Sequence, residues 1–373
     1  MKQPLNHLLS ATLTQAKWAF TTRRVAVADA QNIQESVAQA QSGDLVLARV
    51  MQIGAHPRLQ LADGRHSDLY ENDLIVAACG ARYASDQFEG VAQLGPDGAD
   101  LLAGGGCVGT MLQRHARMKT PTRIQPLGLL CDAQGAVLNL ARYAIAPQQR
   151  RGGLTVIGVV GASMNAGKTT AVAALVHGLE RAGHRTAAIK VTGTGAFGDW
   201  WQYHDAGASF VTDFTDTGMV STYMQPHARI VEALGTLLAS AESAGCEVAV
   251  VEFADGVLQR ETHALLQDPQ VAAHFDAFLY AAADSLSALG GLACMQALGR
   301  APLALTGLIS AAPLSAQEAV AATGLEVLAR EALRDPALAA ALLQRCIRSP
   351  QASQPLLPKQ ATAAQGAALS CAA

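Results

Sequence analysis

The stretch Leu154-Thr-Val-Ile-Gly-Val-Val-Gly-Ala-Ser-Met-Asn-Ala-Gly-Lys-Thr-Thr170 decides the fold of this chain. It begins with an apolar run over residues 154–160, which is typical of a strand buried on both faces of a parallel sheet. The segment from Lys168 to about Ala182 predicts a helix that ends at Gly183, because glycine tolerates the left-handed backbone of a helix C-cap. The stretch therefore predicts a buried strand, a loop of small residues and a helix, in that order.

The loop between this strand and this helix has the spacing of a phosphate-binding loop (P-loop), with Ala162 at the first glycine position. We expect Gly161, one residue earlier, to relieve the same turn. Successive backbone N–H groups of such a loop point inward beside the positive end of the helix, so a polyphosphate binds there. Lys168 is predicted to reach the β- and γ-phosphates, and the Thr169 hydroxyl to ligate Mg²⁺. The predicted nucleotide-binding residues of the loop are Ala162, Ser163, Met164, Asn165, Ala166, Gly167, Lys168, Thr169 and Thr170.

A carboxylate for the metal comes from a predicted strand over residues 246–253. Glu252 stands near its end, where open α/β sheets collect their ligands, and is the predicted metal-binding carboxylate; a merely solvated side chain is the alternative. Asp255 is the second choice, and Asp255 or Asp213 could orient the nucleophile. Asp213 is also a candidate metal ligand, although its run 213–218 equally suits a plain turn, in which Asp and Thr bond their own backbone.

A second predicted strand over residues 186–191 carries Lys190, and Gly193, Gly195 and Gly198 follow in the spacing Gly-x-Gly-x-x-Gly. This is formally a dinucleotide fingerprint, but that fingerprint should open the first strand–helix unit of a sheet. We therefore interpret the segment as a flexible loop beside the phosphates, with Lys190 supplying positive charge to the reaction. An ordinary surface loop is the alternative.

The pattern of apolar, turn and helix-forming residues changes near residue 146. Residues 1–145 contain short β-type runs separated by turn residues and predict a small, mostly β domain of unknown role. Residues 146–153 are a predicted linker. Residues 154–348 alternate apolar strands with Ala-rich helices, which predicts an α/β fold with a parallel P-loop NTPase sheet covered by helices. Residues 349–373 offer little to bury and predict a disordered tail.

Further elements are predicted from the same patterns. The predicted strands are 45–50, 74–77 and 136–140 in the first part of the chain, and 277–282 and 304–309 in the second. A last helix is predicted over residues 325–347, with a break at residues 335–336, where Asp precedes Pro. The run 80–89 concentrates polar and aromatic side chains in a predicted loop, which we interpret as a solvated surface turn in preference to a substrate grip.

Composition excludes several classes of function. The chain has 373 residues, of which 50% are hydrophobic and 15% charged, so it is too apolar to be disordered. A net charge of -3 lacks the basic footprint of a nucleic-acid-binding protein. No window reaches the roughly 18 to 20 unbroken apolar residues of a membrane-spanning helix, and residues 1–20 lack a signal core. The seven cysteines are dispersed without C-x-x-C spacing. We expect a cytoplasmic protein with a small-molecule substrate that binds neither nucleic acid nor a membrane.

Over residues 154–321 the chain resembles the P-loop group that includes dethiobiotin synthetase and the cobyrinic acid amide synthases. The markers are the loop 161–170, Lys190, and Val251-Glu-Phe-Ala-Asp-Gly256, which is similar to the Val-Glu-Gly-Ala-Gly-Gly strand end of dethiobiotin synthetase. The resemblance implies phosphate or Mg²⁺ contacts from Lys168, Thr169, Lys190 and Glu252. Relatives in the group are often homodimers.

Two departures bear on this resemblance. Ser310 stands near the place of the base-reading Asn of the synthetases, so both ATP and GTP stay open as the nucleotide. The segment 199–208, Asp-Trp-Trp-Gln-Tyr-His-Asp-Ala-Gly-Ala, is instead similar to the accessory P-loop protein of molybdopterin guanine dinucleotide synthesis.

Two functions therefore follow as hypotheses. The first is a Mg²⁺-dependent, ATP-hydrolysing enzyme that activates a small-molecule carboxylate or similar nucleophile by phosphoryl transfer, as a synthetase, ligase or kinase does. The alternative is a nucleotide-dependent accessory or carrier protein in cofactor biosynthesis. The candidate catalytic residues are Lys168, Lys190, Glu252 and Asp255.

Overall fold

The computed structural model describes residue 9 and residues 11–348. The predicted tail 349–373 lies outside these residues. Two large β-sheets make up most of the described chain, and an irregular stretch over residues 146–153 runs between them. Within residues 9 and 11–348, no helix is long and apolar enough to cross a membrane.

Residues 17–131 form the first large sheet and a separate small hairpin. In chain order the strands are β1 (Lys17–Trp18), β2 (Asn32–Gln34), β3 (Leu45–Gln52), β4 (Arg58–Gln60), β5 (His66–Asp68), β6 (Leu74–Cys79), β7 (Arg82–Tyr83), β8 (Phe88–Val91), β9 (Ala99–Ala103), β10 (Cys107–Arg114) and β11 (Thr122–Cys131). Strands β4 and β5 pair with each other, and the other nine form one sheet, called the front sheet below. Pairing of β6 with both β3 and β10 closes β6, β3, β11, β9 and β10 into a ring, which removes their free edges.

The front sheet differs from the sequence prediction at one strand. The strands predicted over 45–50 and 74–77 are present as β3 and β6, each slightly longer. The strand predicted over 136–140 is wrong, because these residues make only isolated bridges. Asn139 instead caps the 3₁₀ turn Leu140–Tyr143 with its side chain, and this ends the extended backbone.

The second large sheet has six strands in the order β14-β13-β15-β12-β16-β17, and every neighbouring pair is parallel. Its strands are β12 (Thr155–Gly161), β13 (Thr186–Lys190), β14 (Phe210–Asp213), β15 (Val248–Glu252), β16 (Ala277–Ala281) and β17 (Ala304–Thr306). The helices are α1 (Lys168–Arg181), α2 (Phe197–Asp205), α3 (His227–Ser243), α4 (Arg260–Gln267), α5 (Pro269–Ala272), α6 (Ser285–Ala297), α7 (Pro313–Thr323), α8 (Arg330–Arg334) and α9 (Pro336–Arg348).

Helices cover both faces of this parallel sheet. Successive side chains of a strand point to opposite faces, so Val156 of β12 packs in one core with Leu234 of α3. Val159 of the same strand packs in a second core with Leu175 of α1 and Leu342 of α9. Burial on both faces explains the unbroken apolar runs, and it leaves the carboxyl ends of the strands as the place where polar side chains gather.

The last predicted strand and the last predicted helix differ in their bounds from the observed elements. The strand predicted over 304–309 stops at residue 306, because Gly307 has a φ of +95° and a 3₁₀ turn follows. The helix predicted over 325–347 is two helices, α8 and α9, separated at the predicted break at residues 335–336. Residues 325–329 are not helical, since Val327 makes a parallel bridge to β17.

Candidate nucleotide-binding site

The loop between β12 and α1 has the backbone of a phosphate-binding turn. Asn165 and Gly167 adopt the left-handed region, with φ of +62° and +96°, and these are the residue types that tolerate it best. Gly161 belongs to extended β12, so its predicted role in relieving the turn is wrong. A Cβ on Gly161 would lie 2.9 Å from Cγ of Lys168, so this glycine makes room for the lysine side chain.

A cavity of about 480 Å³, called the central cavity below, opens above this loop. Of the predicted loop residues, Ala162, Ser163 and Ala166 are not part of its wall. The parallel-sheet side of its wall includes Met164, Asn165, Gly167, Lys168, Thr169, Thr170, Lys190, Gly193, Thr194, Asp199, Glu252, Ala254 and Asp255. The carboxyl ends of β12, β13 and β15 thus contribute to one space, as the sheet order requires.

Lys168 is held against the loop. Its side chain is 5% exposed, and Nζ donates to the carbonyl oxygens of Ser163, at 2.8 Å, and Asp255. Burial lowers the pKa of Lys168, and the Glu252 carboxylate opposes this. An ammonium presented among loop carbonyls at the start of α1 is placed for contact with a phosphate oxygen.

Glu252 faces the hydroxyl group of Thr169. Thr169 Oγ1 donates to Glu252 Oε1 at 3.2 Å, and the buried Tyr203 hydroxyl donates to Oε2. Burial, followed by the Glu252 charge, raises the pKa of Tyr203, so this phenol stays protonated and fixes the carboxylate. One carboxylate and one hydroxyl are the protein ligands that Mg²⁺ takes when phosphate oxygens and water complete its shell. The residues therefore fit Mg²⁺.

Lys190 provides a second cation on the same wall. Its Nζ donates to Asp199 Oδ2 and lies 3.8 Å from Glu252 Oε1. Burial alone would lower the pKa of Lys190, but the charges of Asp199 and Glu252 outweigh it and raise the pKa. Lys190 therefore stays charged. Asp199 is a site residue that the sequence reasoning missed; its signal is an acidic residue in the first turn of a helix that follows a glycine-rich loop.

Asp255 is placed as a proton acceptor. It follows β15 with a φ of +62° and lies in the wall of the central cavity. Burial raises the pKa of Asp255 to about 6, against the opposing charges of Lys190 and Lys168. A carboxylate that titrates near neutrality can take a proton from a nucleophile.

The prediction that Asp213 is a metal ligand or orients the nucleophile is wrong. Asp213 lies outside the central cavity wall and caps a 3₁₀ turn, with Oδ1 accepting from Thr215 N at 2.8 Å. The same oxygen lies 3.2 Å from Nη2 of Arg23, a residue of the front sheet side, which also pairs with Asp216. The carboxylate of Asp213 therefore joins the two parts of the chain, and the turn interpretation of 213–218 matches the structure.

Ser310 lies beside the loop but outside the central cavity wall. Its hydroxyl donates to Gly307 O at 2.7 Å. Together with Gly167, Thr170 and Leu308 it lines a smaller cavity of about 270 Å³. Base recognition by Ser310 stays a prediction.

The far wall of the central cavity comes from the front sheet. Arg82, Tyr83 and Ala84 lie in it, and Asp86 accepts a 2.7 Å hydrogen bond from Asn165 of the loop. The interpretation of 80–89 as a solvated surface turn is therefore wrong. Its first half pairs as β7 with β8 and presents a buried arginine to the nucleotide loop.

The described residues suit no other metal centre. Within residues 9 and 11–348, His, Cys, Asp and Glu form no group of three or more that could hold a metal ion. His56 is half-buried beside Arg82, and the exposed His66 packs against the ring of Phe197.

No family model and no curated protein matches this chain. Among solved structures, the hydrogenase maturation factor HypB from Helicobacter pylori, in complex with nickel, aligns at 9% identity and a TM-score of 0.36 over 54% of this chain and 91% of that chain. HypB from Archaeoglobus fulgidus aligns at 10% identity and a TM-score of 0.34 over 52% and 91%. The signal recognition particle receptor FtsY from Elizabethkingia anophelis aligns at 14% identity and a TM-score of 0.32. The alignment covers 52% of this chain and 56% of the FtsY chain, so this chain spans little more than half the length of FtsY.

Residues 155–306 form a parallel sheet with helices on both faces, and the loop with P-loop spacing follows its first strand. The narrower resemblance to dethiobiotin synthetase stays a prediction.

Proposed function

We propose that this chain binds a magnesium nucleoside triphosphate in the central cavity and transfers its terminal phosphoryl group to a small-molecule nucleophile. The observation that carries the proposal is the pair formed by the half-buried Thr169 and the buried Glu252, whose Oγ1 and Oε1 atoms are 3.2 Å apart, close to the ammonium of Lys168. Mg²⁺ held by this pair would neutralise charge on the β- and γ-phosphate oxygens.

The two lysines contribute fixed positive charge around the phosphates. Lys168 starts the helix at the loop, and Lys190 reaches the same wall from the end of β13. Both are largely shielded from water, so their attraction to a phosphoryl group that develops charge is stronger than it would be at the surface. We assign them the stabilisation of the transferring group.

Asp255 would act as the general base that accepts the proton of the nucleophile. In the transfer, the acceptor oxygen bonds to the γ-phosphorus while the bond to the β–γ bridging oxygen breaks. A hydroxyl acceptor would give its proton to Asp255, whereas a carboxylate acceptor brings none. The raised pKa of Asp255, about 6, suits this exchange near neutral pH.

The cavity favours an enzyme over a nucleotide-operated accessory protein. Its volume of about 480 Å³ lies within the range of small-molecule sites. Its wall continues past the phosphate loop onto the front sheet, so a second reactant at the γ-phosphate would contact Arg82 and Tyr83. We propose ATP as the nucleotide, and GTP is the competing choice.

The proposal is tested with the purified full chain and Mg²⁺. Phosphate release from ATP and from GTP is measured alone, with the deproteinised small-molecule fraction of a cell extract, and with the protein fraction of the same extract. We expect slow basal hydrolysis of one nucleotide and strong stimulation by a small-molecule fraction. Stimulation only by a protein fraction would support the accessory function instead. Equal hydrolysis by Lys168→Ala would contradict the site assignment.

A further inference from the structure

Arg82 is a buried cation on the wall of the central cavity that faces the phosphate loop. It is the first residue of β7 in the front sheet, and it is 7% exposed. The parallel sheet contributes Lys168, Lys190, Glu252 and Asp255 to the opposite side of the same space. The front sheet therefore contributes a positively charged side chain to the wall of a cavity whose other charged residues come from the parallel sheet.

The contacts of Arg82 are with neutral groups. Nη1 donates to the Leu102 carbonyl and lies 3.5 Å from His56 Nε2, and Nη2 donates to Gln87 Oε1 at 2.9 Å. Burial and the neighbouring guanidinium lower the pKa of His56 to about 4, so this imidazole is neutral at pH 7. Nε of Arg82 is buried and has no hydrogen-bond partner among the described residues.

A second arginine, whose side chain is 12% exposed, has the ion pairs expected of a structural guanidinium. Arg23 also reaches from the front part of the chain to the parallel sheet, and it pairs with Asp216 at 2.7 Å and Asp213 at 3.2 Å. Arg82 makes no ion pair within 4.0 Å among the described residues. The carboxylates of Asp86 and Asp255 attract Arg82 only from beyond that distance. Because a buried charge without a close counter-ion costs several kcal/mol, a neutral side chain would serve structure better at this position.

We infer that Arg82 binds an anionic group of the acceptor, a carboxylate or phosphate ester, and so makes the proposed reaction selective for an acidic small molecule. Tyr83 is half-buried in the same wall, and its ring packs at a tilt against that of Tyr223, with the ring centroids 5.7 Å apart. It supplies an aromatic surface for the body of that molecule. The inference rests on the proposed function, because the acceptor must meet the γ-phosphate bound at the loop. It adds the chemical class of the second substrate.

The γ-phosphate itself is the other anion that Arg82 could meet. The lysines and the Thr169–Glu252 pair already lie at the phosphate loop, whereas Arg82 is anchored to Leu102 and Gln87 of the front sheet. We therefore assign Arg82 to the acceptor. The two assignments differ in an observable way, because only contact with the γ-phosphate changes affinity for the nucleotide.

The test uses full-length Arg82→Gln and Arg82→Lys, with Arg58→Gln as the matched control at an exposed arginine of the same part of the chain. Two quantities are measured for each variant. The first is the affinity for Mg²⁺ with AMP-PNP, a triphosphate analogue, and with ADP. The second is stimulation of nucleotide hydrolysis by a deproteinised cell extract separated on an anion-exchange column.

We expect stimulation in the retained, anionic fractions. Arg82→Gln should lower kcat/KM for the stimulating fraction by about 10- to 100-fold, the loss expected for a charged hydrogen bond, while analogue affinity stays within about twofold. Arg82→Lys should recover part of the loss, and Arg58→Gln should behave as wild type.

Three results would overturn the inference. They are stimulation confined to the unretained fractions, unchanged stimulation in both Arg82 variants, and selective weakening of AMP-PNP relative to ADP, which would assign Arg82 to the γ-phosphate. Failure of wild type to bind either nucleotide is a separate outcome that removes the proposed function itself. A folded Arg82→Lys variant with normal analogue affinity keeps the test decisive if Arg82→Gln is unstable.

Discussion

Asn165 of the phosphate loop donates a 2.7 Å hydrogen bond to Asp86 Oδ2 in the connection between β7 and β8. This bond joins the loop to the front sheet at the residue whose backbone is left-handed, with a φ of +62°. The front sheet therefore contacts the loop conformation directly, as well as contributing a wall of the central cavity.

The first prediction concerns this bond. Asn165→Ala loses both the hydrogen bond and the side chain that tolerates a left-handed backbone, so we expect a loss of about 1 to 2 kcal/mol in the free energy of unfolding. Asn165→Gly, which tolerates the backbone, should lose less. A double-mutant cycle with Asp86→Ala, followed by urea unfolding, should give a coupling of about 0.5 to 1 kcal/mol. A coupling of zero would show that the two side chains do not interact in solution.

The second prediction concerns the partner of Glu252. Tyr203→Phe removes the hydroxyl that fixes this carboxylate, so kcat should fall about tenfold and the Mg²⁺ concentration needed for half-maximal hydrolysis should rise. Nucleotide affinity should change little. Tyr143→Phe is the control, because its hydroxyl also bonds a carboxylate, Asp29 Oδ2 at 2.8 Å, outside the site. Equal kinetics in the two variants would contradict the role of Tyr203.

The third prediction is a pH dependence. Asp255 accepts a proton only when ionised, and burial raises its pKa to about 6. With a hydroxyl acceptor, the rate should therefore rise with pH through about 6 and then level off. Asp255→Asn, which suits the left-handed backbone, should lower kcat by about 100-fold or more and remove this inflection. An unchanged inflection in the variant would assign it to another group.

The fourth prediction follows from the same pKa. The ordinary pKa of 3.8 describes the unfolded chain, so the folded state holds the proton more tightly and this residue lowers stability as pH rises from about 4 to 6. The difference corresponds to about 3 kcal/mol at pH 8. Asp255→Asn should therefore raise Tm at pH 8 and change it little at pH 4. Asp205→Asn, at an exposed carboxylate, is the control. A lower Tm at pH 8 would contradict the expected burial cost.

The sequence was most informative where chemistry and local structure coincide. Residues 154–170 contain an apolar strand, a loop glycine and the start of a helix in direct succession. The phosphate loop and the bounds of α1 could therefore be predicted from residues that are adjacent in the chain. Glu252 follows from its place at the end of an apolar strand. The parallel alternation of strands and helices is likewise a local pattern.

The parts that could not be predicted depend on long-range packing. Asp213 is the last residue of β14, and Asp255 follows β15. Asp213 differs in pairing with Arg23, which comes from far earlier in the chain. Arg82 and Asp86 lie in a run of ordinary turn composition, and only closure of the front sheet against the loop places them in or beside the cavity. No local signal encodes which sheet edge meets which loop.

The measurement that tests the central claim most directly is calorimetric titration of Mg²⁺ with AMP-PNP into wild type, Lys168→Ala and Lys119→Ala. Lys119 is an exposed lysine of the front part of the chain and serves as the control. We predict one site per chain in wild type and in Lys119→Ala, and affinity reduced on the order of 100-fold in Lys168→Ala. Equal affinity in all three proteins, or no binding to wild type, would contradict the nucleotide site.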